Sequence, residues 1–208
     1  MKYQLILSDV DSTLITQEVI DLLASKCGRG EEVAEVTRAA MSGELEFKEA
    51  LFKRVSCLAG LSISVLDEVA SEITLSPGAQ ELREFCSKRG IKFGAVTGGF
   101  YQVLERHPFF NSLDFLRANT LEIKKGQLTG RVEGEVIDRN AKATYLLEFA
   151  RNSGVQINTC IAIGDGANDL EMIKSAALGI AFKGKEILKA KADLCIEKSL
   201  AEVIAFLE

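Results

Sequence analysis

Leu5-Ile6-Leu7 runs into Ser8-Asp9-Val10-Asp11-Ser12-Thr13, so an apolar stretch stops abruptly at two carboxylates separated by one residue. Unbroken apolar residues suit a parallel sheet covered on both faces, which predicts a short buried strand over residues 3–7. Asp9 then stands at the carboxyl end of that strand, where open α/β sheets bind their ligands. An aspartate of ordinary pKa, about 4, is ionised near neutral pH and can attack an electrophile without a separate base. Asp11 would repel that charge unless a hard cation binds between the two or one carboxyl keeps its proton. The same residues also fit a solvated turn, because Asp and Ser readily hydrogen-bond nearby backbone.

After Thr13 the pattern changes from strand to helix. Val19, Ile20, Leu22 and Leu23 make one apolar face, ended by Cys27-Gly28-Arg29-Gly30, and further helices are predicted over residues 31–41, 45–55 and 64–73 before the turn Ser76-Pro77-Gly78. Residues 14–75 therefore read as a small helical domain inserted into an α/β core made of residues 1–13 and 76–208. Within that core, helices and strands alternate, which argues for a parallel sheet with right-handed crossovers. Helices are expected over 79–88, 141–151 and 200–206, the last capped by Ser199, and strands over 91–96, 114–116 and 159–163. Residues 178–181 and 193–196 read as edge strands, and the alternation with glycines over 119–136 reads as projecting hairpins.

Composition narrows the chemistry. At 208 residues, with 47% hydrophobic and 26% charged residues, the chain can bury a sizeable core and is not a disordered one. A net charge of -5 argues against a nucleic-acid surface, which needs clustered Lys and Arg. No apolar run approaches the roughly 20 residues that span a bilayer, so the expectation is a cytoplasmic protein. Five widely spaced cysteines form no C-x-x-C pair and read as buried free thiols, and the single histidine, His107, leaves a His-based triad or zinc site poorly supported.

Three further polar constellations stand out. Ile161-Ala162-Ile163-Gly164-Asp165-Gly166-Ala167-Asn168-Asp169 repeats the logic of the first strand, delivering carboxylates beside glycines that permit close backbone approach. Taken alone, Asn168 or Asp169 could simply cap a helix; together with Asp9 and Asp11, Asp165 would complete the oxygen-only donor set that magnesium prefers. Thr97-Gly98-Gly99 is either a plain strand-to-helix turn or a hydroxyl and unhindered N–H groups offered to an anion. Lys142 lies in a first helical turn with Asn140 as the expected cap, where a cation opposes the helix dipole by about 0.3–1 kcal/mol unless an anion compensates it.

These segments, Asp9-Val10-Asp11-Ser12-Thr13-Leu14, Thr97-Gly98-Gly99-Phe100, Lys142 and Gly164-Asp165-Gly166-Ala167-Asn168-Asp169, resemble in order the four motifs of the haloacid dehalogenase-like (HAD) family. Glu18 and the spacing Met41-x5-Phe47-x6-Arg54 resemble its phosphoserine phosphatases, with Thr97 where those enzymes usually carry Ser. The resemblance implies a Rossmann-like HAD core with a helical cap. It also implies magnesium-dependent hydrolysis of phosphoserine, the last step of serine biosynthesis, by a monomer or homodimer. It assigns Asp9 as nucleophile and Asp11 as general acid/base, and Asp9, Asp165 and the Asp11 backbone carbonyl as metal ligands. Thr97, Gly98 and Lys142 would hold phosphate, with Asn168 and Asp169 orienting ligands and metal. In the cap, Arg54 can grip a carboxylate, Glu18 can pair with an ammonium, and Met41 with Phe47 can exclude water. Transfer of the phosphoryl group to another alcohol such as homoserine, hydrolysis of another small monoester, and a non-catalytic phosphoamino-acid sensor are the alternatives.

Overall fold

The computed structural model describes residues 2–41 and 44–207, with Met41 as backbone only. The first apolar run becomes β1 (Leu5–Ser8), every residue of it buried. Its alternate side chains enter two separate cores. Ile6 joins the one packed by Val19, Leu82 and Val103, whereas Leu5 and Leu7 join the one packed by Leu146, Phe149, Met172 and Ile173. A strand flanked by helices on both faces has no use for a polar position, which is why the run is continuous rather than alternating.

Between β1 and the next strand come α1 (Val19–Lys26), α2 (Gly30–Met41), α3 (Phe47–Ser56) and α4 (Ser64–Glu72). The chain enters and leaves these helices along paired segments: Ile15 bridges Leu75 antiparallel, Thr16 N–H donates to Thr74 O at 3.0 Å, and Ser76 N–H donates to Leu14 O at 2.9 Å. The rest follows as α5 (Ala79–Arg89), β2 (Lys92–Phe100), α6 (Tyr101–Leu104), α7 (Pro108–Asn111), β3 (Phe115–Lys124), β4 (Gln127–Glu133), α8 (Arg139–Asn152), β5 (Cys160–Gly164), α9 (Leu170–Ser175), β6 (Leu178–Phe182), α10 (Glu186–Lys189) and β7 (Leu194–Ile196). They form one sheet in the order β4-β3-β2-β1-β5-β6-β7, parallel except for the β3–β4 pair. Among the described residues no helix is long and apolar enough to cross a membrane.

Several expectations are corrected. β6 lies inside the sheet between β5 and β7, so only the second of the two anticipated edge strands is at an edge. The short strand at 114–116 runs on to Lys124 and folds back once as β4, one hairpin rather than several, turning at Lys125 and Gly126 with φ of 51° and 76°. Backbone of the α3–α4 connection pairs with this hairpin: Gly60 N–H donates to Leu128 O and Ile63 N–H to Gly126 O. β2 stays extended through Thr97-Gly98-Gly99 instead of stopping at Val96, with a register break between Val96 and Phe100. Residues 200–206 wind as a 3-10 helix rather than an α-helix, capped by Ser199 as expected. All five thiols are free, but Cys195 is exposed and Cys27 half-buried.

His107 starts α7: its Nδ1 accepts from Phe109 N–H at 3.3 Å, with Pro108 at the first helical position. Burial lowers its pKa, in keeping with a cap that needs the neutral ring. A group that gives up its proton more easily when folded contributes stability in full above its unfolded pKa of about 6.5 and loses it as pH falls below. We expect His107→Asn, which keeps an acceptor at the cap, to flatten the loss of stability between about pH 7 and pH 5.5 in urea titrations. An unchanged slope would assign that loss to carboxylates alone.

Candidate active site

Strand ends bring the carboxylates together. Asp9 N–H donates to Ile163 O at 2.9 Å, tying the end of β1 to β5, and Asp9 Oδ1 accepts from Val10 N–H at 2.8 Å. Ser12, in the left-handed region with φ of 58°, reverses the chain so that Asp11 is gripped from two sides. Its Oδ1 accepts from Val19 N–H, the first residue of α1, at 2.8 Å, and its Oδ2 accepts from Thr97 Oγ1 at 2.6 Å. Gly99 N–H in turn donates to Thr97 Oγ1 at 2.8 Å. The hydroxyl anticipated as a phosphate donor therefore points to Asp11 here.

At the end of β5 the backbone N–H groups of Asp165 and Gly166 donate to Asp169 Oδ2 at 3.1 and 3.0 Å. A Cβ on Gly164 would lie 2.4 Å from Asp169 Cγ, which explains the glycine. Lys142 Nζ sits 2.7 Å from both Asp169 Oδ1 and Asp9 Oδ1, and all three side chains are buried. These carboxylates supply the anion that a first-turn lysine requires. The cap of α8 is Asp138, not Asn140: Asp138 Oδ1 accepts from both Asn140 and Ala141 N–H, each at 3.0 Å.

Burial sets the protonation pattern. It raises the Asp9 carboxyl well above the usual range, helped by the Asp169 charge and opposed by Lys142. Burial also raises Asp11, against the hydrogen bonds from Thr97 and Val19. Asp165 is pushed to about 6 by burial and Asp169, and Glu18 to about 7 by burial and Asp11. Burial disfavours the Lys142 ammonium, yet Asp169 and Asp9 more than offset this and hold it protonated.

A cavity of about 650 Å³ opens between the sheet's carboxyl edge and α1 to α3. Of the residues singled out by sequence, Asp9, Asp11, Glu18, Phe47, Arg54, Thr97, Gly98, Asp165 and Asn168 line it. Lys142 and Asp169 do not, lying buried behind Asp9, and the Met41 side chain is outside the described residues. Phe47 covers the glycine loop, its ring 3.5 Å from where a Cβ on Gly98 would sit. Glu18 Oε1 accepts from Ser12 Oγ at 2.8 Å, and Arg54 Nε donates to Ala50 O at 3.3 Å. Burial lowers the Arg54 pKa against the nearby charges of Glu18, Asp21 and Asp11. Asp21 and Lys185 also line the cavity and were missed, since neither belongs to a motif of recognisable spacing.

Carboxylate oxygens of Asp9, Asp165 and Asp169 lie within 4.8 Å of one another. Asp169 has both oxygens occupied by Lys142 and backbone N–H groups. Asp9 Oδ2 and the Asp165 carboxylate accept no hydrogen bond among the described residues, which leaves two hard oxygen donors for a divalent cation.

Gly99 gives a sharp test. A Cβ there would stand 2.6 Å from Asp11 Oδ2 and 3.2 Å from Thr97 Oγ1. We expect Gly99→Ala to displace Asp11 with the melting temperature little changed and, on the expectation that Asp11 is the general acid/base, to lower kcat by about 10²-fold, the effect of misplacing a reacting group by about 1 Å. Unaltered kcat would mean that Asp11 can act from more than one position.

A family profile described as haloacid dehalogenase-like hydrolase matches residues 6–174. The chain is 44% identical over 205 residues to a phosphoserine phosphatase of Streptococcus thermophilus, covering 98% of this chain and 95% of that one. It is 43% identical over 208 residues to a phosphoserine phosphatase of Methanocaldococcus jannaschii, covering 100% and 99%. It is 47% identical over 204 residues to one of Streptomyces coelicolor, where it spans 98% of its own length but 50% of the relative's. Among solved structures, a substrate-bound phosphoserine phosphatase complex superposes with a TM-score of 0.91 at 42% identity over all of both chains. So does the phospho-aspartyl intermediate analogue of a phosphoserine phosphatase, also at 0.91 and 42%.

Proposed function

The chain belongs to the haloacid dehalogenase-like hydrolases, and from that membership and the site we infer that it is a phosphoserine phosphatase, hydrolysing O-phosphoserine to serine and phosphate. The observation that carries this reading is one cavity lined by Asp9 and Asp11 from the turn after β1 and by Glu18 and Arg54 from the helical segment. A zwitterionic phosphomonoester fits that division. Its carboxylate meets Arg54, its ammonium meets Glu18, and its phosphoryl group faces Asp9. We assign residues 14–75 as a cap over a core of 1–13 and 76–208, Phe47 being the cap residue that excludes water at the glycine loop.

Asp9 attacks phosphorus as a carboxylate, kept ionised against burial by the Lys142 ammonium 2.7 Å from Oδ1 and held in place by Val10 N–H. The bond from phosphorus to the seryl oxygen breaks, and that oxygen takes a proton from Asp11, whose raised pKa lets it arrive protonated. Asp11 then removes a proton from water attacking the phosphorus of the aspartyl-phosphate, which frees Asp9 and inorganic phosphate. Lys142 spends two of its donors on Asp9 and Asp169, so it acts on the phosphoryl group by its charge and by holding the Asp9 carboxylate that meets it. Gly98 brings side-chain-free backbone to the cavity wall beneath Phe47, and Asn168 and Asp169 order the facing turn. Mg²⁺ held by Asp9, Asp165 and the Asp11 backbone carbonyl would, when bound, offset negative charge on the phosphoryl oxygens. Every side chain invoked comes from one chain, and we place the activity in the cytoplasm.

A phosphate-release screen over small phosphomonoesters, with and without Mg²⁺ and with and without an acceptor alcohol such as homoserine, tests the reading. Release from phosphoserine that needs Mg²⁺ and is not diverted to the acceptor is expected; phosphorylated acceptor as main product would make the chain a phosphotransferase, and no release would make it a sensor. Arg54→Ala should raise KM for phosphoserine by about 10- to 100-fold, the worth of a charged hydrogen bond. The same change should alter kcat/KM for an ester lacking a carboxylate by about threefold or less. Equal losses on both would reduce Arg54 to a structural residue.

A further inference from the structure

Three cations belong to the site, and one has no role in the reaction described above. Lys142 is committed to two buried carboxylates, and Arg54 faces the cap side of the cavity. Lys185 lines the same cavity from the segment between β6 and α10. It forms no ion pair among the described residues. Its Nζ lies 3.9 Å from the position of a Cβ on Gly166, over the turn that carries Asp165 and Asn168.

The backbone beneath this side chain is fixed. Lys185 N–H donates to Asp165 O at 2.8 Å, joining its segment to the acidic turn. The approach to it is tight: Lys183 has φ of 46°, its N–H donates to Ile196 O at 2.8 Å, and a Cβ on Gly184 would come within 2.9 Å of Ala181 Cβ. Beyond it, Leu188 is fully buried and its N–H donates to Lys185 O at 2.9 Å. An otherwise exposed lysine is thus presented from an anchored base at the rim, with only its aliphatic stem free to reorient. A positive charge at the mouth of a cleft raises the local concentration of a dianion and speeds its entry.

We propose that Lys185 is a binding residue for the phosphoryl group, meeting the phosphate dianion of the incoming substrate and the inorganic phosphate that leaves. It acts as a point charge, which an ammonium on a flexible stem provides without demanding a single geometry. The assignment rests on the phosphatase reading for its substrate, but not for its test.

The experiment compares Lys185→Gln and Lys185→Arg with the unaltered chain in Mg²⁺, by calorimetric titration with inorganic phosphate and by steady-state kinetics on phosphoserine at low and high salt. Lys185→Gln should weaken phosphate binding and raise KM by about tenfold, the lower end for a charged hydrogen bond. It should also leave kcat within about threefold and flatten the salt dependence of kcat/KM, because a rim charge acts mainly on association. Lys185→Arg should restore most of the phosphate affinity. Unchanged phosphate affinity in Lys185→Gln, or a fall in kcat with KM preserved, overturns the proposal. If the unaltered chain releases nothing from phosphoserine, the phosphatase reading fails while the titration with phosphate still decides Lys185.

Discussion

Asp9→Asn is expected to abolish phosphoserine turnover, lowering kcat by at least about 10⁴-fold, because an amide oxygen is a poor nucleophile and nothing else at the site replaces it. The fold should survive. Asp9 is buried, and burial already raises its carboxyl well above the usual range, so an uncharged amide of the same shape removes a charge that is unwelcome in the folded state. Lys142 keeps Asp169 as a partner at 2.7 Å, and Val10 N–H keeps an oxygen to bond. The check is a phosphate-release assay paired with a thermal melt. A variant that folds normally and hydrolyses at near-normal rate would end the covalent mechanism, whereas one that fails to fold would make Asp9 a structural residue first. Acid-quenched mixtures should contain a base-labile phosphoprotein with the unaltered chain and none with Asp9→Asn.

Lys142→Met carries the largest expected loss of stability. Methionine fills much of the same volume but leaves Asp9 Oδ1 and Asp169 Oδ1 buried without the ammonium that lies 2.7 Å from each. Removing one partner of a buried ion pair typically destabilises by about 3–5 kcal/mol, since the remaining charge cannot be rehydrated. Urea unfolding should show a loss of that size, and turnover should fall with it. A second substitution separates cause from volume: in Lys142→Met with Asp9→Asn one of the two stranded carboxylates is gone, so the pair should be less destabilised than Lys142→Met alone. If the double variant were no more stable than the single one, shape rather than charge would be what Lys142 supplies.

The elements legible from sequence were those whose local pattern admits one solution. Unbroken apolar residues at 5–7 and 161–163 demanded burial on both faces, and both became central strands with an aspartate just past the end. Gly90 and Ser199 closed and opened helical segments for local reasons of backbone freedom and capping. Less was legible where local signals compete. Asn140 and Asp138 are both good caps, and the helix begins at Arg139, which makes Asp138 its cap. The pair Gly98-Gly99 suggested a turn, but β2 resumes its pairing with β3 at Phe100 and Asn119 past an irregularity, and Asn119 Nδ2 donates to Gly98 O at 2.8 Å, which keeps the glycines in line with the strand. An edge or interior position for β6 depends on whether another strand joins it, and that strand comes from beyond α10.

By itself the sequence determined the α/β alternation, the run of helices after the first strand and the placing of Asp9 and Asp165 at strand ends, because periodicity and chain punctuation act over a few residues. Tertiary structure alone decided that Thr97 bonds Asp11, that Lys142 is sealed between Asp9 and Asp169, and that Lys185 overlooks the cavity. Those contacts join residues 20 to more than 100 positions apart, and their energies come from burial and from charges brought close, quantities that do not exist until the chain has folded.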